Sequence, residues 1–171
     1  MKIKIAVPEG IDTSMEENAL TVKGEKGELR RVFKHHSVSM ALKDGIVLET
    51  ATDRRKDRAV LGTWKAHVKN MFKGASEGYT YKMKIIYVHF PMTVKVEGDK
   101  VVVNNFMGEK GQRIAKIIGD TQITVKKEDI EITGIDKDAA GQTAANIEKA
   151  CKKKKKDLRV FHDGIYIIQK G

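Results

Sequence analysis

Ile3, Ile5 and Val7 are spaced two apart, a period that predicts a half-buried strand ending at Pro8-Glu9-Gly10. Strands are also expected at 19–23 and 29–34, joined across Gly24-Glu25-Lys26-Gly27, and at 45–50 after the turn Lys43-Asp44-Gly45. The period then changes. Val60, Leu61, Trp64, Val68, Met71 and Phe72 recur at spacings of three and four, the stripe of an amphipathic helix over 56–73, with Gly74 as its expected stop. In the second half a strand is expected at 85–88, and 92–97 and 100–104 form a hairpin about Gly98-Asp99. Strands follow at 114–118, 122–126 and 130–133, then a helix at 138–151 carrying Ala140, Ala144, Ile147 and Cys151 on one face. A last hairpin pairs 159–161 with 165–168 about Asp163-Gly164. Locally paired strands with one main helix per half predict an α+β protein, each half a mostly antiparallel β-sheet packed against its helix.

The two halves also share markers. Gly24-Glu25-Lys26-Gly27 returns as Gly108-Glu109-Lys110-Gly111, and Gly62-Thr63-Trp64-Lys65-Ala66-His67-Val68 has a counterpart in Gly141-Gln142-Thr143-Ala144-Ala145-Asn146-Ile147. The markers keep their order, which predicts an internal duplication into two tandem homologous domains, 1–80 and 81–171. Function is then expected where the copies have diverged. The second helix is pared down: Gly141, Gln142 and Ala145 would let a large partner approach, and Asn146 and Lys149 would add polar contacts.

Charge sharpens this expectation. The net charge is +10, with a balance of +4 in residues 1–80 and +6 in residues 81–171, and a polyanion is the first partner it implies. Lys152, Lys153, Lys154, Lys155 and Lys156 follow the second helix directly. The negative end of a helix accounts for one or two of these lysines, and phosphate contact is the better reason for five. Arg54, Arg55, Lys56 and Arg58 form a weaker cluster, diluted by Asp53 and Asp57. One cysteine, Cys151, excludes an internal disulfide and suits a reducing cytosol. The N-terminus lacks the apolar core of a secretory signal, and no run approaches the length of a membrane span.

The chemistry of catalysis is not in evidence. The five histidines are scattered, no zinc set forms, and neither GEKG lysine is followed by the Ser or Thr of a P-loop. No cofactor, metal or small-molecule substrate is expected. The turn glycines supply positive φ, and Lys26 and Lys110 project from the tips. His35-His36 reads as a polar turn and Trp64 as core. One alternative remains: residues 106–118 look like the GxxG loop and following helix of a KH domain, which would make the chain a free-standing binder of single-stranded RNA. That reading requires a helix at 112–118, whereas the alternation after Gly27 in the first copy favours a strand.

Five segments carry a resemblance: His67-Val68-Lys69-Asn70-Met71-Phe72-Lys73-Gly74, Tyr87-Val88-His89-Phe90-Pro91, Asn105-Phe106-Met107-Gly108-Glu109-Lys110, Gly141 through Ile147, and Arg159-Val160-Phe161-His162-Asp163-Gly164-Ile165-Tyr166. In these the chain resembles the family of large-subunit ribosomal proteins conventionally numbered six, in its archaeal and eukaryotic form. The resemblance implies a structural role in the cytoplasmic ribosome, bound to large-subunit rRNA near the sarcin–ricin loop. Neighbouring ribosomal proteins would be partners, with translation factors docking nearby. It implies that the second domain holds the main RNA contacts, at Gly141, Gln142, Asn146, Lys149 and 152–161, including Arg159 and Phe161. Lys110, Arg113 and Lys137 complete the candidate set. The bacterial form has a Lys-Gly-Lys-Gly type stretch where this chain has Arg159 to Tyr166, which favours an archaeal source.

Overall fold

A computed structural model describes every residue except Asp44, Lys155 and Leu158. The chain divides into two compact units, Met1–Gly78 and Tyr79–Gly171.

In the first unit, β1 (Lys2–Ile5), β2 (Asp12–Glu16), β3 (Ala19–Gly24), β4 (Gly27–Val32), β5 (Val38–Lys43) and β6 (Gly45–Thr50) precede α1 (Arg55–Ser76). They form two antiparallel sheets, β2-β3-β4 and β1-β6-β5. The helix buries Leu61, Trp64, Val68, Met71, Phe72 and Ala75, the stripe that its spacing predicts. Trp64 is core, edge-on to Phe33 at 5.3 Å. α1 runs past Gly74, which is buried within it, and stops before Gly78, whose φ of +78° permits the reversal. Leu20, Val22, Ile46 and Leu48 supply the sheet side of this core.

The second unit repeats the plan with β7 (Tyr79–Ile86), β8 (Thr93–Glu97), β9 (Lys100–Asn104), β10 (Arg113–Lys116), β11 (Gln122–Lys126), β12 (Asp129–Gly134) and α2 (Lys137–Ala150). One strand is added, β13 (Gly164–Gln169). The sheets are β8-β9-β10 and β11-β12-β7-β13. Apart from β13, both order and pairing match the first unit, so the α+β duplication is realised strand for strand. α2 buries Ala140, Thr143, Ala144 and Ile147 against the sheets, with Cys151 just beyond it also buried.

Two expectations are corrected and one alternative falls. The strand expected at 85–88 is β7, which begins at Tyr79 and ends at Ile86, because Tyr79, Tyr81, Met83 and Ile85 alternate inward. Residues 159–161 form no strand. The Val160 and Phe161 amides both donate to the Asp157 carbonyl in a turn, and β13 pairs with β7 instead, Ile165 opposite Ile85. The helix that a KH domain needs at 112–118 is β10, paired in register with β9 from Arg113–Val103 to Lys116–Lys100. Among the described residues, no helix is long and apolar enough to cross a membrane.

The repeated GEKG motif adopts two structures. In the first copy Gly24 pairs with Gly27 across a two-residue hairpin turn. Gly24 is required by close approach, since a Cβ there would lie 2.5 Å from the Ala75 carbonyl oxygen, while Gly27 has φ +143°. In the second copy the motif ends a longer loop, and only Gly108 has positive φ. We expect Gly24→Ala to destabilise the protein by roughly 1–3 kcal/mol through overpacking. Gly62→Ala, in mid-helix with nothing within 4 Å, should instead stabilise it by about 0.5–1 kcal/mol. Urea unfolding of both variants reads the opposite signs.

Candidate nucleic-acid interface

The interface begins with Arg113, at the start of β10. Its guanidinium forms a bidentate pair with Glu109 at 2.8 and 2.7 Å and lies 4.1 Å above the ring of buried Phe106. Its Nη1 donates to the carbonyls of Ala150 at 2.8 Å and Lys152 at 3.2 Å. Arg113 therefore caps the C-terminal end of α2 and neutralises its dipole. Hydrogen bonding to Arg113 holds the Glu109 carboxyl below its ordinary value, against the opposing effect of burial. This candidate RNA ligand spends its donors inside the protein, and in doing so it relieves the lysines of the helix end.

The described lysines of the run differ in exposure. Lys152, Lys154 and Lys156 are exposed, whereas half-buried Lys153 turns inward to the Phe161 carbonyl and to the Tyr166 hydroxyl at 2.9 Å. Lys156 lies over the Phe161 ring at 5.1 Å, and His89 stacks on the same ring at 5.1 Å. Lys155 lies outside the described residues. Arg159 is exposed, with its amide and side chain both turned to Asp157 at 2.9 and 3.4 Å.

Along α2, Gln142 donates to Asn146 at 2.9 Å, and Asn146 donates to the Lys116 carbonyl at 3.0 Å, tying the helix to β10. Thr143 reinforces this, accepting from the Ile118 amide at 3.0 Å. Gly141 faces inward: a Cβ there would lie 3.1 Å from the Tyr81 hydroxyl. It therefore serves packing against β7. Gln142, Ala145 and Lys149 form the exposed face. Lys137 stands 5.7 Å over Tyr79 at the other end of the helix, and Lys110 is exposed in the 105–112 loop.

Two hollows flank Lys153. One of about 620 Å³ lies between α2 and β13, bounded by Ala145, Lys149, Lys152, Lys153 and Tyr166. The other, about 540 Å³, is lined by His89, Phe90, Arg113, Lys154, Lys156 and Phe161. Cationic rims over aromatic and apolar floors suit a polyanion that carries flat bases. Cys151 lines the first hollow, but burial pushes its thiol up to about 11, so it is a packing group and no nucleophile.

Sequence reasoning missed His89, Asp163 and Tyr166. Asp163 is fully buried, and its carboxylate accepts from the His89 ring Nδ1 at 3.1 Å and the His89 amide at 3.3 Å. A carboxylate only accepts, so His89 carries its proton on Nδ1 in this pair. The pair ties the 87–91 loop to the start of β13. It was visible only as the motif residues of the resemblance, since a single His and a single Asp far apart in sequence have no periodic signal.

A family model described as Ribosomal protein L6 matches residues 7–78 and 90–164. The chain is 48% identical to the large ribosomal subunit protein uL6 of Methanocella arvoryzae, over 98% of this chain and 96% of that one. It is 48% identical to the protein of the same name from Methanobrevibacter smithii, covering 98% and 94%, and 46% identical to that of Methanosarcina mazei, covering 98% and 96%.

Burial pushes the Asp163 carboxyl up, but the bonds from the His89 ring and amide and the Val88 amide outweigh it and hold it below 3.8. A depressed folded-state value stabilises the protein above the ordinary one, and that stability is lost as pH falls through it. We therefore expect Asp163→Asn to cost about 2 kcal/mol at pH 7. The gap from the wild type should close below pH 3.8, as thermal melts across pH would read.

Proposed function

This chain belongs to the ribosomal protein L6 family, and we propose that it is a structural, non-enzymatic constituent of the large ribosomal subunit that binds large-subunit rRNA through its second unit. Its place is the cytoplasmic ribosome, beside neighbouring ribosomal proteins. The contacts lie near the sarcin–ricin loop, with translation factors docking close by.

The observation that carries the RNA reading is the division of labour at the end of α2. Arg113 serves the helix end through the Ala150 and Lys152 carbonyls, which leaves Lys149, Lys152, Lys154 and Lys156 exposed with no helix end to neutralise. Exposed lysines on a folded scaffold suit the phosphates of a folded RNA, and counterion release makes such binding salt-dependent. Lys110 in the 105–112 loop and Lys137 at the helix start extend the basic surface. Arg159 and Phe161 border it, and Gln142 presents its amide beside Lys149. Gly141, Asn146 and Arg113 support this surface from beneath by packing and hydrogen bonding. The KH alternative is abandoned, because a strand occupies 113–116.

The test uses the full chain and large-subunit rRNA over a range of salt. Replacing Lys149, Lys152, Lys154 and Lys156 by Ala should weaken binding and flatten the log–log slope by about 0.7–0.9 for each phosphate no longer neutralised. Replacing Arg54 and Arg55 in the first unit should leave the slope within error. A slope unchanged by the four lysine substitutions would defeat the assignment.

A further inference from the structure

We infer that the groove between α2 and β13 receives one unstacked nucleotide of the bound RNA, with the Tyr166 ring as its stacking platform. This rests on the rRNA-binding reading above and names a contact within it.

The groove belongs to the second unit, because among the described residues the first unit has no counterpart of β13. At about 620 Å³ it falls within the roughly 300–1,000 Å³ of small-molecule sites. Its floor is small and apolar: Ala145, Ile165 and Gly164. Tyr166 is 36% exposed, and its position is fixed at both ends. The hydroxyl donates to the His162 carbonyl at 3.1 Å and accepts from Lys153 at 2.9 Å, so its polar tip is occupied by the protein. The ring lies across the backbone of Gly164, where a Cβ would come within 3.0 Å of the ring carbon that bears the hydroxyl. What remains to offer a ligand is the ring surface not covered by Gly164 or by the Lys153 ammonium, which lies 5.6 Å from the ring centroid.

The rim decides the ligand class. Lys149 and Lys152 stand at the mouth, with Glu148 as the one acidic side chain among the lining residues. An aliphatic or peptide ligand would use the floor and waste the cations, and an inorganic anion would use the cations and waste the ring. A nucleotide uses both, its base on Tyr166 over Ala145 and its phosphate toward Lys149 and Lys152. Glu148 adds an acceptor for a base that carries an exocyclic amine. A base held in a Watson–Crick helix cannot reach such a floor, so the nucleotide must be unpaired, as in a loop or bulge.

The experiment measures binding of the full chain to large-subunit rRNA at several salt concentrations, for wild type, Tyr166→Ala and Tyr166→Phe. Tyr166→Ala should weaken binding by about 5- to 150-fold, the loss of one base–aromatic stack, as a parallel shift with the salt slope unchanged. Tyr166→Phe keeps the ring and loses both hydroxyl bonds, and it should bind within about threefold of wild type. Equal losses in both variants would assign Tyr166 to the hydroxyl network and overturn the inference. So would wild-type affinity for Tyr166→Ala with an unchanged unfolding midpoint. Should Tyr166→Ala lower the midpoint, Ala145→Trp on the exposed helix face fills the groove and must weaken binding if the inference holds. Failure of the wild type itself to bind would instead defeat the rRNA reading on which this contact rests.

Discussion

The second unit is organised about one guanidinium. Arg113 reaches four groups: the Glu109 carboxylate and the Phe106 ring from the preceding loop, and, 37 and 39 residues on, the carbonyls of Ala150 and Lys152. Only a planar fork with several fixed donors can hold a carboxylate and a helix end at once. Through it the 105–112 loop, β10 and the exit of α2 become one body. The direction in which the chain leaves α2 sets which lysines face outward.

Divergence between the copies grows from that loop. The first copy turns in two residues between Gly24 and Gly27, packed hard on Ala75. The second inserts a loop that holds Asn105 and Met107 at φ of 57° and 51°, conformations disfavoured for side chains other than glycine. Two anchors compensate: Phe106 enters the core, 1% exposed, and Asn105 donates to the Pro91 carbonyl at 3.0 Å. The longer loop also brings Glu109 to Arg113. The same four letters thus serve a bare hairpin in one copy and the arm of a clamp in the other.

That contrast marks the limit of what the sequence discloses. Periodicity disclosed α1, α2 and the central strands, because Leu61, Trp64 and Val68, or Ala140, Ala144 and Ile147, are spaced by the geometry of the helix itself. β2 escaped notice because its sequence, Asp12-Thr13-Ser14-Met15-Glu16, has one apolar side chain and is held largely by backbone pairing with β3. Residues 159–161 imitate a strand, yet Phe161 is claimed by His89 and Lys156. The charged candidates were legible as a set, but not in their roles. Arg113, Lys153, Gly141 and Asn146 share composition with an RNA surface while their partners are the fold's own atoms. Contacts 13 residues away for Lys153, 30 for Asn146 and 37 for Arg113 separate a ligand from its support.

Five consecutive lysines on a flexible tail would bind RNA through charge alone, and ordering the tail would oppose binding. Here part of that ordering is built into the fold. Lys153 is fixed to Tyr166 and the Phe161 carbonyl, and Lys156 rests over the Phe161 ring, so the run is tied at two points three residues apart. Lys152 and Lys154, between and beside these ties, are left exposed. His89 and Asp163 hold the far side, where Phe161 stacks. Preorganisation of this kind lowers the entropic cost of association, and it also makes register matter. On the rRNA reading proposed above, cations set by aromatic stacking and by one arginine would favour particular RNA shapes, where a loose lysine run would take any of them.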